Sequence, residues 1–273
     1  MTKSLEGKTI IMSGGSRGIG LAIALAAARL GANITILAKT GEPNPKLPGT
    51  IYTAAAEIEE AGGQALPVVG DVRDEASVQN AVDKTIERFG GIDIVVNNAS
   101  AIDLSGTEAL SVKKFDLMQG IQIRGTFLLT RAALPHLKKS DNAHILSLSP
   151  PLNLSPKWLG AHPAYTLAKY GMSMLTLGWA EEYRKDGIAG NCLWPETLIA
   201  TAAVQNLLGG DEAIAVSRTP EIVADAAMLI LTSDAKTNSG KVYIDAEILA
   251  DHGVTDLSKY GGGENVQYDI FID

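Results

Sequence analysis

The sequence predicts an α/β fold, a doubly wound parallel sheet of about seven strands with helices on both faces. Three observations carry that prediction. Short runs of β-branched and aliphatic residues alternate with longer amphipathic stretches along all 273 residues, the order of repeated βαβ units. One run, Ile92 to Val96, is nearly all apolar, as a strand covered on both faces must be. The first run is followed by a glycine-rich turn that opens straight into a helical pattern, a common device for close strand-to-helix packing or for cradling a phosphate.

The elements follow in order. Thr9 to Met12 reads as the first strand. Ile19, Ile23, Ala26, Ala27 and Leu30 then recur at helical spacing, and Gly31 stops that helix. Ile34 to Ala38 is the second strand, followed by a loop holding Pro43, Pro45 and Pro48 and a helix over about Ile51 to Ala61, closed by Gly62-Gly63. Ala65 to Val69 is the third strand. Asp74 is placed to cap the helix carrying Val78, Ala81, Val82, Ile86 and Phe89. After the fourth strand, helical stretches near 108–118 and 121–138 lead to a fifth strand at Ala143 to Ser149. A long helix from about Ala164 to Arg184, a sixth strand at Ile188 to Leu193 and a seventh at Lys241 to Asp245 complete the pattern. With no composition break, linker or further repeat, residues 1–273 read as a single domain.

Composition bounds the function. Hydrophobic residues make up 46% and charged residues 20%, the balance of a packed globular protein. A net charge of -8 argues against nucleic acid or an anionic membrane as partner, since both require a basic surface. The lone cysteine, Cys192, excludes an intramolecular disulfide and reads as a small core residue. No apolar run reaches the roughly 18 residues of a membrane span. The polar start, Met1 to Lys8, is not a signal peptide, and Phe271-Ile272-Asp273 is not a peroxisomal address, so a cytoplasmic protein is expected. The four histidines lack metal-ligand spacing, so no metal is expected. His162, just before Pro163 and Tyr165, reads as lining a substrate mouth or as a solvated loop residue.

The turn after the first strand is Ser13-Gly14-Gly15-Ser16-Arg17-Gly18-Ile19-Gly20. Its glycines let backbone N–H groups approach a pyrophosphate, which a helix N-terminus also favours. Gly14, Gly18 and Gly20 depart from the G-x-G-x-x-G spacing. They resemble instead the T-G-x-x-x-G-x-G pattern of the short-chain dehydrogenase/reductase family, with Ser13 in place of threonine. That resemblance implies a Rossmann-type fold and a nicotinamide cofactor held by Ser13, Gly14, Ser16, Arg17, Gly18, Ile19 and Gly20. NAD-binding folds usually end the second strand in an acid that accepts from the ribose. Here the strand ends in Lys39-Thr40, and a lysine cannot accept those bonds but can pair with a 2′-phosphate. Lys39 and Arg17 therefore point to NADP(H) rather than NAD(H). Asp71-Val72 resembles the family's adenine-contacting pair. Asn97-Asn98-Ala99-Ser100 resembles its N-N-A-G stretch, which implies cofactor contacts from Asn98, Ala99 and Ser100.

Tyr165 and Lys169 stand at i and i+4 on one face of the predicted long helix. A carbonyl accepting hydride needs a proton donor at its oxygen. A tyrosine, whose ordinary pKa is near 10, serves once a neighbouring ammonium stabilises its phenolate. The family resemblance adds a catalytic serine, for which Ser149 is the first candidate, Ser147 the second and Ser155 the third. Ser149 lies further upstream of Tyr165 than the pattern asks, and an ungapped alignment puts Pro150 in its place. Gln122 replaces the family's relay asparagine. Trp194-Pro195-Glu196-Thr197 replaces a Pro-Gly stretch, so that Pro195 and either Thr197 or Thr201 would fix the nicotinamide.

The segment 195–220, with Leu198, Ile199, Val204, Leu207 and Leu208, would form an apolar lid in this family. Longer matches, such as Gly49 to Ala55 and Ser149 to Leu154, resemble a branch whose name points to steroid or lipid substrates. Relatives usually form homodimers or homotetramers, and the tail from Tyr260-Gly261-Gly262-Gly263-Glu264 onward offers a segment for packing on a neighbouring subunit. Two functional readings stand: an alcohol dehydrogenase or carbonyl reductase, and a non-catalytic NADP(H)-binding sensor or scaffold. A structural protein with an empty cleft is a third.

Overall fold

All seven expected strands form in the computed structural model, which describes residues 4–44, 48–207, 209–263 and 265–273. The first half runs β1 (Thr9–Ser13), α1 (Gly18–Arg29), β2 (Asn33–Ala38), α2 (Ile51–Glu60), β3 (Gln64–Val69), α3 (Glu75–Phe89) and β4 (Ile94–Asn97). Next come α4 (Val112–Gln119), a π-helical turn (Gly120–Gly125), α5 (Thr126–Leu137), β5 (Ala143–Leu148), α6 (Pro156–Ala161), α7 (Pro163–Glu182) and β6 (Ile188–Trp194). The chain continues through α8 (Ala202–Leu207), α9 (Gly210–Ala215), α10 (Glu221–Leu231), β7 (Val242–Ile244) and α11 (Asp245–Asp251).

The strands pair in parallel in the order β3-β2-β1-β4-β5-β6-β7. Every residue of β1, β4, β5 and β6 is buried, which explains why these strands read as apolar runs rather than as alternating ones. Two large apolar clusters cover the sheet. One joins α1 and α10 to the strands through Ile23, Ala27, Ile222, Ala226 and Ile230, and the other joins α3 and α5 through Val78, Val82, Leu129 and Leu137. Strand order reverses between β1 and β4, and their carboxyl ends open a crevice at that switch point.

Local signals act where they were expected. The Asp74 carboxylate accepts from the Ala76 and Ser77 amides and caps α3. α1 starts at Gly18 with no side-chain cap, so its first N–H groups face the crevice. Other elements differ from the reading. The two helices expected at 108–118 and 121–138 form one continuous helical run, because the π-helical turn absorbs the break between them. The proline-rich stretch ends in α6, with Pro156 at its first turn, where a missing N–H costs nothing. α10 was not foreseen: it is apolar nearly throughout, since it is buried between α1 and α11. Pro45 of the expected loop and Leu208 of the expected lid lie outside the described residues.

The tail folds back onto its own chain. Thr197 pairs with Tyr268 in an antiparallel bridge, Leu198 donates to Gln267 O at 2.9 Å, and Asp269 donates to Glu196 O at 2.9 Å. Phe271, 2% exposed, sits among the rings of Trp158, Tyr165, Tyr170 and Trp194. Phe271 is thus covered within one subunit, while Tyr268 stays 59% exposed.

Candidate active site

The crevice at the switch point is a cleft of about 540 Å³. Gly14, Ser16, Arg17, Gly18, Lys39, Asp71, Val72, Asn98, Ala99 and Ser100 all line it. Ser13 and the Asn98 side chain brace it from behind. The Ser13 hydroxyl accepts from the Asn98 and Ala99 amides at 3.2 and 3.1 Å, and the Asn98 side chain donates to Gly14 O at 2.7 Å. β4 is thereby tied to the glycine turn. Gly20 is required by space: a Cβ there would lie 2.4 Å from Gly14 O and 2.5 Å from Asn98 Nδ2. Gly14 is required twice over, by a φ of +75° and by a Cβ position 2.9 Å from the Ala99 Cα.

At the far end of the cleft the charges are partnered. Arg17 donates to Pro48 O and Gly49 O at 3.0 and 2.9 Å. Lys39 is mostly exposed and lies 3.3 Å from Asp71. Arg73 grips Asp71 more closely, at 2.6 Å, and holds its carboxyl well below the usual carboxylate range. Asp71 therefore enters the cleft wall as the centre of a three-residue ionic cluster, a grouping its sequence neighbourhood did not reveal.

A second cavity, of about 350 Å³, opens beside the first and shares Asn98, Ser100, Ile102, Thr201 and Ala203 with it. Tyr165, Lys169, Ile19 and Pro195 line this cavity, against Leu104, Leu148, Trp194, Leu198, Ile199 and Val204. The Lys169 ammonium donates to Leu148 O at 2.8 Å and lies 5.1 Å from the centre of the Trp194 ring. Burial lowers Lys169 to about 8, while Asp269 works to keep it charged. Burial also pushes the Tyr165 phenol far above its usual value; Asp269 adds to that rise and the Ser100 hydroxyl opposes it. Tyr165 is therefore a protonated phenol at neutral pH.

None of the three candidate serines reaches this cavity. Ser149 is completely buried, and its hydroxyl lies beside the Cys192 thiol without a hydrogen-bond partner. The chain turns after Leu148, which faces the cavity, so the next residue faces the opposite way. The Ser147 hydroxyl bonds Thr176 at 2.6 Å, and the Ser155 hydroxyl is buried without a partner. Ser100, read from sequence only as a cofactor contact, is the serine that neighbours Tyr165. Thr197 is likewise buried, its hydroxyl donating to Leu198 O, whereas Thr201 lines both cavities. Gln122 is fully buried, and with its amide turned so that both of its polar atoms are satisfied, Nε2 donates to Ala101 O and Met118 O at 3.0 and 3.1 Å. His162 bonds Leu104 O at 2.7 Å. Cys192 is buried, and that burial raises its thiol to about 11.

Asp269, Gln267, Tyr268 and Ile270 also line the Tyr165 cavity. Nothing local in the sequence marks them, because they arrive from a segment about 100 residues beyond Tyr165 and Lys169. Among the described residues no cluster of three or more His, Cys, Asp or Glu side chains is arranged to hold a metal, and no helix is long and apolar enough to cross a membrane.

Comparison with known proteins places this arrangement. Residues 8–210 match the short chain dehydrogenase family. Hydroxysteroid dehydrogenase-like protein 2 of Danio rerio is 55% identical over the whole of this chain, which spans 65% of that relative's length. The crystal structure of a short chain dehydrogenase from Mycobacterium thermoresistibile is 58% identical, with a TM-score of 0.94 over 99% of this chain and 96% of that one. L-sorbose reductase of Gluconobacter frateurii, solved with NADPH and L-sorbose, is 26% identical, with a TM-score of 0.76 over 89% of this chain and 97% of that one. On the strength of a match that runs from β1 to the helices beyond β6, the chain belongs to the short chain dehydrogenase family.

Proposed function

We propose that the protein is an NADP(H)-dependent oxidoreductase that interconverts an alcohol and a carbonyl on an apolar small molecule, with residues 1–273 acting as one catalytic domain. The observation that carries this reading is the continuity of the two cavities: the Tyr165–Lys169 cavity opens into the glycine-lined cleft through shared walls at Asn98, Ser100 and Thr201. The residues fit a dinucleotide. Gly14 and Gly20 leave no room for a Cβ, and the uncapped start of α1 turns N–H donors toward the place a pyrophosphate would take. Lys39 and Arg17 line the adenosine end, where no acid ends β2, and this supports the phosphorylated cofactor over NAD(H).

When bound, the nicotinamide supplies or accepts a hydride at the reacting carbon. The protein's own residues handle the proton. Tyr165, kept protonated by burial, donates to the developing alkoxide. Lys169, anchored on Leu148 O in the same cavity one helical turn from Tyr165, supplies the positive charge that stabilises the phenolate that remains. Ser100 takes the part of second hydrogen-bonding group that the sequence had assigned to Ser149. Burial keeps the proton on Tyr165, the state that carbonyl reduction needs at the outset, while the Lys169 charge offsets the weaker acidity that burial brings. The walls formed by Leu104, Leu148, Trp194, Leu198, Ile199 and Val204 exclude water and select an apolar substrate.

Location in the cytoplasm and assembly as a homodimer or homotetramer belong to the same reading. Exposed Phe115, Phe127, Leu159, Leu167 and Met174 on α4 to α7 support the assembly. One observation favours a non-catalytic sensor instead: Ser149 is orphaned and Gln122 is spent on backbone carbonyls. A panel of aldehydes and ketones with NADPH and NADH decides between them. Tyr165→Phe should lower turnover about 10²- to 10⁴-fold, the usual worth of a positioned acid, with NADPH binding unchanged by fluorescence. Unchanged turnover in that variant, or none in the wild type, sinks the enzyme.

A further inference from the structure

We propose that Asp269 is a specificity-determining residue: a fixed carboxylate that offsets the Lys169 ammonium and confines the cavity to uncharged substrates. The inference rests on the cavity being the substrate site. Lys169 and Asp269 are the two charged side chains among the described residues that line it, and the rest of the wall is largely apolar. Arg218, which acts on Asp245, does not line the cavity and pairs with Glu196 at 2.9 Å. Asp245, the other acid close by, is buried behind the wall and accepts from the Glu196 and Ala246 amides.

The carboxylate is held in place rather than carried on a loose end. The Asp269 amide donates to Glu196 O at 2.9 Å, and its Oδ1 accepts from the Ile270 amide at 2.7 Å. Trp194 Nε1 donates to Ile270 O at 2.9 Å. Phe271 then locks the segment by inserting between four rings, with its centroid 5.1 to 6.3 Å from theirs. Among the described residues it is the one non-glycine residue at positive φ, +74°. Such a conformation persists only where the surroundings impose it, and here the four rings around Phe271 hold the segment that carries Asp269.

With Lys169 and Asp269 both ionised the cavity is close to neutral, and an uncharged ketone or alcohol enters without facing an unbalanced field. An oxo-acid would bring a carboxylate out of water to a lysine whose charge is already answered, and would meet Asp269 as a like charge in a low-dielectric site. The two groups bear on one another's ionisation: burial lifts Asp269 to about 7, with Lys169 pulling the other way. Removing the carboxylate leaves Lys169 alone, and an anion then gains a counter-ion that a neutral ligand cannot use.

Octanamide and octanoate, equal in chain length and different in charge, test this by calorimetric titration into NADPH-saturated protein at pH 7.5. The wild type should prefer the amide by about tenfold, the ratio carried by about 1.4 kcal/mol. Asp269→Asn should erase that preference, chiefly through tighter octanoate binding, while Asp269→Glu keeps it. Asp269→Ser serves as a second neutral variant should the asparagine disturb folding. An unchanged amide-to-acid ratio in the folded neutral variants, or a wild type that binds octanoate as well as octanamide, overturns the proposal. Because the readout is binding, a protein that shows this preference yet reduces no carbonyl would refute the oxidoreductase reading and leave the charge selection standing.

Discussion

Phe271→Ala probes how the C-terminal segment builds the active site. Phe271 is 2% exposed and packs against Trp158, Tyr165, Tyr170 and Trp194. Truncating a buried phenylalanine typically costs about 3–5 kcal/mol in lost transfer energy and cavity formation. The aromatic cluster is separate from the two clusters that cover the sheet, so the loss should fall on docking of the tail rather than on the whole fold. Hydrogen exchange is the assay. The Gln267 amide, bonded to Val216 O, and the Asp269 and Ile270 amides should lose protection by about a hundredfold or more. The Leu198 amide, which donates to Gln267 O, should follow, and the midpoint of global unfolding should fall by only a few degrees.

A companion variant sharpens the test. At φ +74° an alanine bears the left-handed penalty of about 1–2 kcal/mol, which glycine escapes. Glycine adds about 0.5–1 kcal/mol of chain entropy. Phe271→Gly should therefore be no worse than Phe271→Ala, although it removes one more carbon. Unchanged protection of residues 267–270 in Phe271→Ala would refute the reasoning. So would a glycine variant clearly weaker than the alanine.

Three further outcomes are expected. Gly20→Ala should weaken NADPH binding by about a hundredfold or more, because its Cβ would sit 2.5 Å or less from Gly14 O and Asn98 Nδ2; fluorescence titration measures it, and near-wild-type affinity would contradict it. Lys39→Asp should cost about tenfold or more in NADPH affinity and narrow the gap to NADH, as expected for loss of a charge-assisted contact to a 2′-phosphate; paired titrations decide, and an unmoved ratio would count against Lys39. His144, buried with Nε2 against Ser233 O, is held down to about 4 from 6.5 by that burial. Below pH 6.5 the unfolded chain takes up a proton that the folded one refuses, so stability is lost as pH falls toward 4, by up to about 3 kcal/mol. His144→Gln should lose less stability between pH 7 and 4.5 than the wild type in parallel denaturant melts. Buried Asp245 and Asp269, raised to about 6 and about 7, act in the opposite direction but equally in both proteins.

The sequence by itself determined what short-range chemistry encodes. Strand and helix order was legible because period-2 and period-3.6 patterns are local, and the glycine turn was legible because Gly14 and Gly20 press against Asn98 and Ala99 with no room for a Cβ while Gly18 takes a positive φ of +54°. Tyr165 and Lys169 were legible because i and i+4 of one helix share a face. Tertiary structure decided the rest. Ser149 is the residue at which β5 turns away from the cavity, and only the path of the chain showed its hydroxyl beside Cys192 and Ser100 beside Tyr165. Thr201 rather than Thr197 faces both cavities for the same reason. Asp269 joins Lys169 in the wall of one cavity from 100 positions away, held by a backbone bridge and an aromatic anchor that leave no spacing to read. Contacts of that range are selected by packing and charge in the folded chain, and no periodicity in the sequence records them.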